Sequence, residues 1–463
     1  MPIPRSSVAS IAWPALPTPE AAAMLAMQYQ LEQSQWWPPE VLLEQQLRQL
    51  STLLAHAYET IPFYRERLRS VGFDPKSGLT WDMFTSLPLL RRSEVQSAGE
   101  ALLSQKPLRE HGKIAEGKTS GSTGRPIKFY GTQLGRTFWQ ILTLREHLWH
   151  QRDFSGTLAA IRSRAPSLDR RGWGPSTDVA FDTGPCASID ICTDVQRQLK
   201  WLQQQNPDYL LSYPSNVRAL ARACLEQGIK LPRLREVRTL SETLNPDLRA
   251  LCREAWDVPV VDMYSAAEVG HIALQCPEHE HYHIQSETVL VEILNAEDKP
   301  CQPGEIGRVV LTALHNSAMP LIRYEIMDYA EAGARCPCGR GLPVITRILG
   351  RQRNLITLPD GRQHCPDTGY KTWFGLAPIQ QFQIIQHSLQ QIEVKLVMPR
   401  PLTQDEQDKM TAILHTSLGH PFDIMFSYHD DIPRSTGGKF EEFMSKVSLP
   451  HGAAHPLSQG DQT

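Results

Sequence analysis

What the chain lacks narrows it first. No stretch approaches the roughly 20 consecutive apolar residues that a helix needs to cross a bilayer. The net charge is only −3, from 47 basic and 50 acidic side chains. With no polybasic tract either, neither nucleic acid nor an anionic membrane surface is an expected partner. Nine cysteines in 463 residues are few and irregularly spaced, which speaks against a disulfide framework and for a reducing cytoplasm. A lone Arg5 precedes an apolar stretch that Pro14 and Pro17 interrupt, so the N-terminus does not read as a secretory signal. Internal repeats and low-complexity segments are missing as well. What remains is 41% apolar and 21% charged residues, the balance of a globular chain that is too long for a single ordinary core.

Residues 1–50 are rich in Pro and Gln, turn helical in pattern, and read as an N-terminal extension. Between Leu53 and Leu68 apolar and aromatic residues fall at helical spacing, with a break at Pro62. Up to Arg351, helical segments mix with short apolar runs, as at 289–294 and 309–311, which suits α/β layers. Gly, Pro and Asp cluster at 350–366, and the pattern then changes. Phe382 and Ile384 alternate with polar residues, as do Ile392, Val394 and Leu396, and both segments predict half-buried strands. Thr403 and Glu406 form a capping box ahead of a helix whose inner face is Met410, Ile413, Leu414 and Leu418. Gly419 and Pro421 stop that helix, and Phe422, Ile424 and Phe426 open a third strand. The expected organisation is an extension (1–50), a large α/β domain (51–350) and a small α+β domain (351–463).

Residues 112–119 spell Gly-x4-Gly-Lys-Thr, a letter-for-letter Walker match. A phosphate-cradling P-loop needs a buried strand before it and a helix after it. The polar residues 106–111 do not make that strand, and Gly121, Gly124 and Pro126 cannot continue a helix. The match is discarded. Overlapping it, Thr119, Ser120, Gly121, Ser122, Thr123 and Gly124 crowd hydroxyls and bare backbone together ahead of Arg125 and Lys128. Such a loop can wrap an anion with N–H and O–H groups.

This loop resembles the phosphate loop of the adenylate-forming superfamily, which includes acyl-CoA synthetases and peptide-synthetase adenylation domains. Further likenesses follow in that superfamily's order. Tyr264-Ser-Ala-Ala-Glu268 is similar to its aromatic-x-x-x-Glu motif, and Arg323-Tyr-Glu-Ile-Met-Asp328 to its Arg-Tyr-x-x-Gly-Asp segment. Gly350-Arg351 resembles its hinge, and Pro433-Arg-Ser-Thr-Gly-Gly-Lys439 its C-terminal lysine loop. Within the superfamily, residues 57–64, 87–90, 304–307 and 336–340 resemble the phenylacetate–CoA ligase-like branch and its CapK-like relatives. The likeness spans roughly residues 50–445.

The resemblance implies a large adenylation domain of layered sheets and helices with a small mobile α+β lid. It implies ATP-dependent activation of a small-molecule carboxylic acid as acyl-AMP, followed by transfer to CoA. The alternatives are transfer to a carrier-protein thiol or an amine, or a chain that only binds nucleotide. By this likeness residues 119–124 hold pyrophosphate, Tyr264 lies against adenine, Ser241 and Glu242 line the adenine pocket, and Asp328 accepts the ribose hydroxyls. Glu268 helps to hold Mg2+, Arg351 lies near ribose and phosphate, and Lys439 bridges the reacting carboxylate and the α-phosphate. Ser265, Ala267, Met327, Arg353 and Asn354 depart from the usual pattern; Ala267 lacks the hydroxyl that meets the α-phosphate.

Cys276, His283, Cys336 and Cys338 make a Cys3His set suited to a structural Zn2+. Similar Cys and His positions in the resembled branch support it, while nearby His279 and His281 leave the ligand count open. Phe138, Trp139, Trp149 and Trp173 are candidates for an aryl pocket or for plain core, and the resemblance implies a pocket wall at 211–215. Neither the acid nor the oligomeric state is legible.

Overall fold

A computed structural model describes the chain except for residues 1, 120–125, 164–167, 365, 367–373, 436–437, 448–454 and 457–463. Its main element is a mixed sheet of twelve strands. From one edge the antiparallel half runs Val289–Leu294, Ile306–Ala313, Tyr324–Ala332, Val344–Arg351, Tyr282–Ile284, Gly270–Gln275. It continues through Val260–Ala266 into the parallel strands Glu236–Leu240, Tyr209–Ser212, Leu158–Arg162 and Pro185–Asp190, and ends at Leu168–Arg171. The parallel strands are short apolar runs because helices bury them; Val195–Gln205, Pro214–Gln227 and Asp247–Trp256 pack their apolar faces there. Strand Val260–Ala266 is parallel to one neighbour and antiparallel to the other. It therefore stands where the two halves meet.

On the antiparallel half lie helices Pro39–Thr60 and Pro62–Ser70, divided at Pro62 as expected. Proline at the first helical position is pre-set for a helix start and cannot continue the preceding helix. Leu50, Leu54, Ala57, Ile61, Tyr64 and Leu68 share one core with Val309, Leu311 and Tyr324. The first of these helices runs straight through position 50.

The C-terminal part forms its own four-stranded sheet, ordered Asp423–Tyr428, Gln391–Val397, Gln381–Gln386, Phe443–Ser445. Helix Gln404–Leu418 starts at the expected capping box, in which Thr403 Oγ1 accepts from Glu406 N and a Glu406 carboxylate oxygen accepts from Thr403 N at 2.7 Å. Phe382, Ile384, Ile392, Val394, Leu396, Met410, Leu414, Leu418 and Phe422 are its core. Strand Phe443–Ser445 is a fourth member that the sequence pattern does not announce, being only three residues long.

The Walker match dissolves on inspection. Residues 114–118 form an exposed strand, Ile114–Lys118, paired antiparallel with Lys128–Thr132. A hairpin strand replaces the required loop. Ser120, Gly121, Ser122, Thr123 and Gly124 lie outside the described residues, but the base of their loop is closed by Thr119 N donating to Ile127 O (3.0 Å) and Ile127 N donating to Thr119 Oγ1 (2.9 Å).

Candidate active site

In α/β sheets, ligand crevices form outside the carboxyl ends of parallel strands. Residues 264–268 occupy that place at the end of Val260–Ala266, and Ser241 (φ +69°) and Glu242 follow the end of Glu236–Leu240. The antiparallel half delivers the opposing groups. Asp328 and Arg351 face each other across two strands, and Arg351 Nε donates to Asp328 Oδ1 at 3.0 Å. The Tyr264 hydroxyl donates to Asp328 Oδ2 at 2.7 Å. An ionised carboxylate offers about four lone-pair directions, so two donors leave Asp328 capacity for a diol. Burial pushes the Tyr264 phenol well above its ordinary range, and the Asp328 charge pushes it the same way. Glu268 is buried too; burial raises its pKa, while Arg351 and Arg92 act in the opposite sense. A carboxylate that resists ionisation in a buried site fits a divalent cation, whose charge would reverse that preference.

The C-terminal loop brings Lys439 to the same place. Burial lowers the Lys439 ammonium below its ordinary range; Asp328 opposes this, Arg351 reinforces it, and Glu242 and Glu268 oppose it. Asp328, Glu242 and Glu268 belong to the large domain and Arg351 ends strand Val344–Arg351 at its boundary, so the lysine is docked over them. The docking runs through Glu242. Its carboxylate accepts from Phe440 N (2.6 Å), Ser215 N (3.0 Å) and Arg434 Nη1 (3.3 Å). A Cβ on Gly438 (φ +77°) would stand 2.7 Å from Ser163 Cβ, so only glycine fits this approach. Glu242, expected by resemblance to line the adenine pocket, has its carboxylate engaged by the lysine loop. Gly350, in the pair that resembles the superfamily's hinge, has φ +80°, and a Cβ there would lie 2.4 Å from Thr243 Oγ1. Met327, where the superfamily usually has glycine, also adopts a left-handed φ of +73°.

One site residue has no signal in the sequence reading. Arg92 begins helix Arg92–Ala98 and is buried, with Nη2 donating to Thr119 Oγ1 at 3.3 Å. It places a cation at the base of the 119–126 loop. Arg323, by contrast, is spent on the core, where its guanidinium holds Glu292 at 2.8 and 3.0 Å. Beside Glu268 and Ala267 opens a cavity of about 330 Å3 whose walls include Phe138 and Trp139. Trp149 and Trp173 are elsewhere: Trp149 under Arg145 and Arg340, Trp173 among Phe154, His147 and Tyr209.

A second cluster lies at the far ends of the antiparallel strands. Cys276, His281, His283 and Cys336 bring their donor atoms within 4.8 Å of one another. The Cys276 and Cys336 sulfurs are 3.9 Å apart, and His281 Nε2 is 2.9 Å from Cys336 Sγ. Two thiolates on a tetrahedral ion with bonds of about 2.3 Å stand roughly 3.8 Å apart, so the set fits. His281 thus enters the group beside the expected His283, while Cys338 Sγ lies 3.4 Å from His283 Nε2.

Comparison with known proteins accords with this geometry. The CapK C-terminal domain family matches residues 371–446. A phenylacetate–coenzyme A ligase of Thermus thermophilus is 26% identical over 69% of this chain and 73% of its own. Protein CapK of Staphylococcus aureus is 20% identical over 86% and 88%. Among solved structures, a 2-hydroxyisobutyryl-CoA ligase in its postadenylation state, holding an acyl-AMP, superposes with a TM-score of 0.71 at 16% identity over 90% of this chain and 92% of that one. The same ligase in its thioesterification state, with its adenylate and CoA, gives 0.55. The chain is thus similar in sequence to phenylacetate–CoA ligases and to CapK, and it shares the fold of adenylate-forming CoA ligases.

Proposed function

We propose that this chain activates a small carboxylic acid with ATP as acyl-AMP and transfers the acyl group to coenzyme A. The observation that carries the reading is the convergence of Lys439, from the small domain, on Asp328 and Glu268 of the large one and on Arg351 at the boundary between them. Forming the mixed anhydride drives a carboxylate oxygen onto the α-phosphorus while the bond to pyrophosphate breaks. Two anions must meet, and a cation between them offsets their repulsion. Lys439 supplies it. Asp328 accepts the ribose hydroxyls and is held in place by Arg351, while Tyr264, fixed by its bond to Asp328, lends its ring to adenine. Glu268 is the residue that would hold Mg2+, which neutralises phosphate charge when bound. Residues 119–124 and Arg92 take the departing pyrophosphate. In the second half-reaction the thiol sulfur of CoA attacks the acyl carbon, loses its proton, and AMP leaves. For this the lid, which we infer to comprise residues 351–463, rotates away from the adenylation domain of residues 51–350.

The test is ATP–pyrophosphate exchange with a panel of carboxylic acids, followed by AMP release on adding CoA. Exchange that needs an acid, and AMP release that needs CoA, is the expected result. Exchange without CoA-dependent release points to a carrier-protein thiol or an amine as acceptor, and ATP binding without exchange overturns the reading.

The cysteine–histidine cluster supports a structural Zn2+ held by Cys276, Cys336 and His283 with His281 or Cys338. All the donors are side chains of this chain, and the ion would tie the 276–283 segment to the 336–338 segment. Elemental analysis should give about one zinc per chain; less than about a tenth removes the site, because such ions bind tightly.

A further inference from the structure

Helix Pro214–Gln227 meets the small domain at two points. Ser215 N serves the Glu242 carboxylate, and one turn further on Arg218 pairs with a lid carboxylate, its Nε 2.9 Å from Glu442 Oε1. Arg218 is buried, and Asp247 of the large domain holds its other edge, with Nη2 donating to Asp247 Oδ1 at 3.0 Å. Arg222 follows four residues later on the same helix, which puts the two side chains on one face. Both guanidiniums feel the same acids. Burial works against the Arg218 charge, but Glu442 and Asp247 together outweigh it and raise its pKa. Burial and the Arg218 charge lower Arg222 to about 9, against Glu442, Asp247 and Glu226. Glu442 is thus the lid's share in balancing two cations of the large domain.

The lid rotation proposed above removes that share. Glu442 lies three residues beyond Lys439 and leaves with it, whereas Arg218, Arg222 and Asp247 stay behind on helices Pro214–Gln227 and Asp247–Trp256. Parting a buried ion pair leaves a poorly compensated charge, a cost that a second anion offsets. The acceptor that arrives at that moment is a polyanion. Coenzyme A carries a diphosphate and a 3′-phosphate at one end, and its long pantetheine arm carries the thiol at the other. Guanidinium suits phosphate oxygens, since it offers paired donors in a fixed fork.

We propose that Arg218 and Arg222 form a phosphate site for coenzyme A, which the Glu442 carboxylate occupies while the lid is docked. This rests on the transfer to coenzyme A proposed above and adds where the acceptor is held and how its entry is ordered. The Nε edge of Arg218 cannot serve two anions at once. Coenzyme A is therefore kept off this site during adenylation and admitted when the lysine loop departs. A phosphate seated there in turn keeps Glu442, and with it the lid, from returning before the thioester is made.

The experiment measures thioester formation from the synthetic adenylate of an acid that supports ATP–pyrophosphate exchange. Coenzyme A, dephospho-coenzyme A and pantetheine are compared as acceptors. Arg222→Gln removes one charge at a half-buried position. It should raise the KM for coenzyme A about tenfold, the scale of one charge-assisted contact, with kcat near the wild-type value. The KM for pantetheine, which has no phosphate, should be the same in both proteins, and this also controls for folding. A rise that persists with dephospho-coenzyme A assigns the contact to the diphosphate, and one that vanishes assigns it to the 3′-phosphate. Glu442→Gln removes the competing carboxylate and should leave the KM for coenzyme A unchanged or lower, a test that holds even if Arg222→Gln does not fold. An unchanged KM for coenzyme A in Arg222→Gln, an equal rise for pantetheine, or a rise in Glu442→Gln overturns the proposal while transfer to coenzyme A stands. Wild-type protein that makes no thioester from coenzyme A overturns the transfer reading itself.

Discussion

Asp328 and Lys439 meet in one site, yet different kinds of structure hold them. Asp328 stands on a strand of the twelve-stranded sheet, paired with Arg351 and bonded to Tyr264, and all three arise from core strands. Lys439 comes on a loop, with Gly438 pressed against Ser163 and the Glu242 carboxylate gathering Phe440 N, Ser215 N and Arg434. Nearby, Arg218 pairs with Glu442 at 2.9 Å. The nucleotide side is thus built into a fold that would have to unfold to lose it. The lysine side is attached by a few charge-assisted contacts, each worth about 1.5–3 kcal/mol, which can part without unfolding either domain. A site that must perform two reactions in turn needs this asymmetry, with the part used in both steps fixed and the part used in one step detachable.

The comparison breaks most plainly at Lys439. Lys439→Ala should cut ATP–pyrophosphate exchange by about 10²–10³-fold, the scale for removing one charge-stabilising group. Given synthetic acyl-AMP and CoA, the same variant should make thioester near the wild-type rate, since the cation has no task once the anhydride exists. Because burial depresses the lysine pKa, wild-type exchange should also fade as pH rises through that lowered value. Equal loss in both half-reactions would mean that the two sides are not separable in the way described.

Asp328→Ala probes the fixed side, with a smaller effect that both half-reactions should feel. Losing the acceptor for ribose should weaken ATP by roughly ten- to a hundredfold, measured by calorimetry, with little change in the affinity for the acid. An unchanged ATP dissociation constant would remove Asp328 from the nucleotide site and leave its pairing with Arg351 purely structural.

The same division explains what could be read in advance. Tyr264, Glu268, Asp328, Arg351 and Lys439 were singled out by their likeness to the superfamily's motifs in chain order, and the structure brings these five together. The lid was legible because its strands alternate and its helix carries both a capping box and a glycine stop. Arg92 was not, since it reaches Thr119 from a helix start 27 residues earlier, and no spacing rule connects the two. The expected zinc set named Cys338 and left the part of His281 open, because which of them joins depends on how the turn before strand Tyr282–Ile284 folds back, with Cys276 N donating to His281 O. Glu242 was expected at the adenine pocket by resemblance alone, and its contact with the lysine loop was not legible because Phe440, whose N–H its carboxylate accepts, is almost 200 residues away.

That partner supplies the finest test of the asymmetry. Burial raises the pKa of the Glu242 carboxyl, and Arg434 with the two backbone N–H groups counters it. Glu242→Gln keeps the size and one accepting oxygen but replaces the other with an amide that donates. Three donors then face one acceptor, so at least one contact turns repulsive and the attraction of Arg434 loses its charge. The docked loop should weaken by about 1–1.5 kcal/mol, shifting the equilibrium between docked and free lid. If the lid is mostly docked in the wild type, exchange should fall by only about twofold or less, far less than for Lys439→Ala, because the lysine is still present and only its residence is reduced. Thioester formation from synthetic acyl-AMP should hold steady or rise, since releasing the lid is the step that the clasp opposes. Thermal unfolding of the large domain should not move, because the clasp joins two domains rather than supporting either one. A fall in both half-reactions, or a clear drop in the unfolding temperature, would make Glu242 part of the fixed side and erase the contrast between strand-held and clasp-held groups.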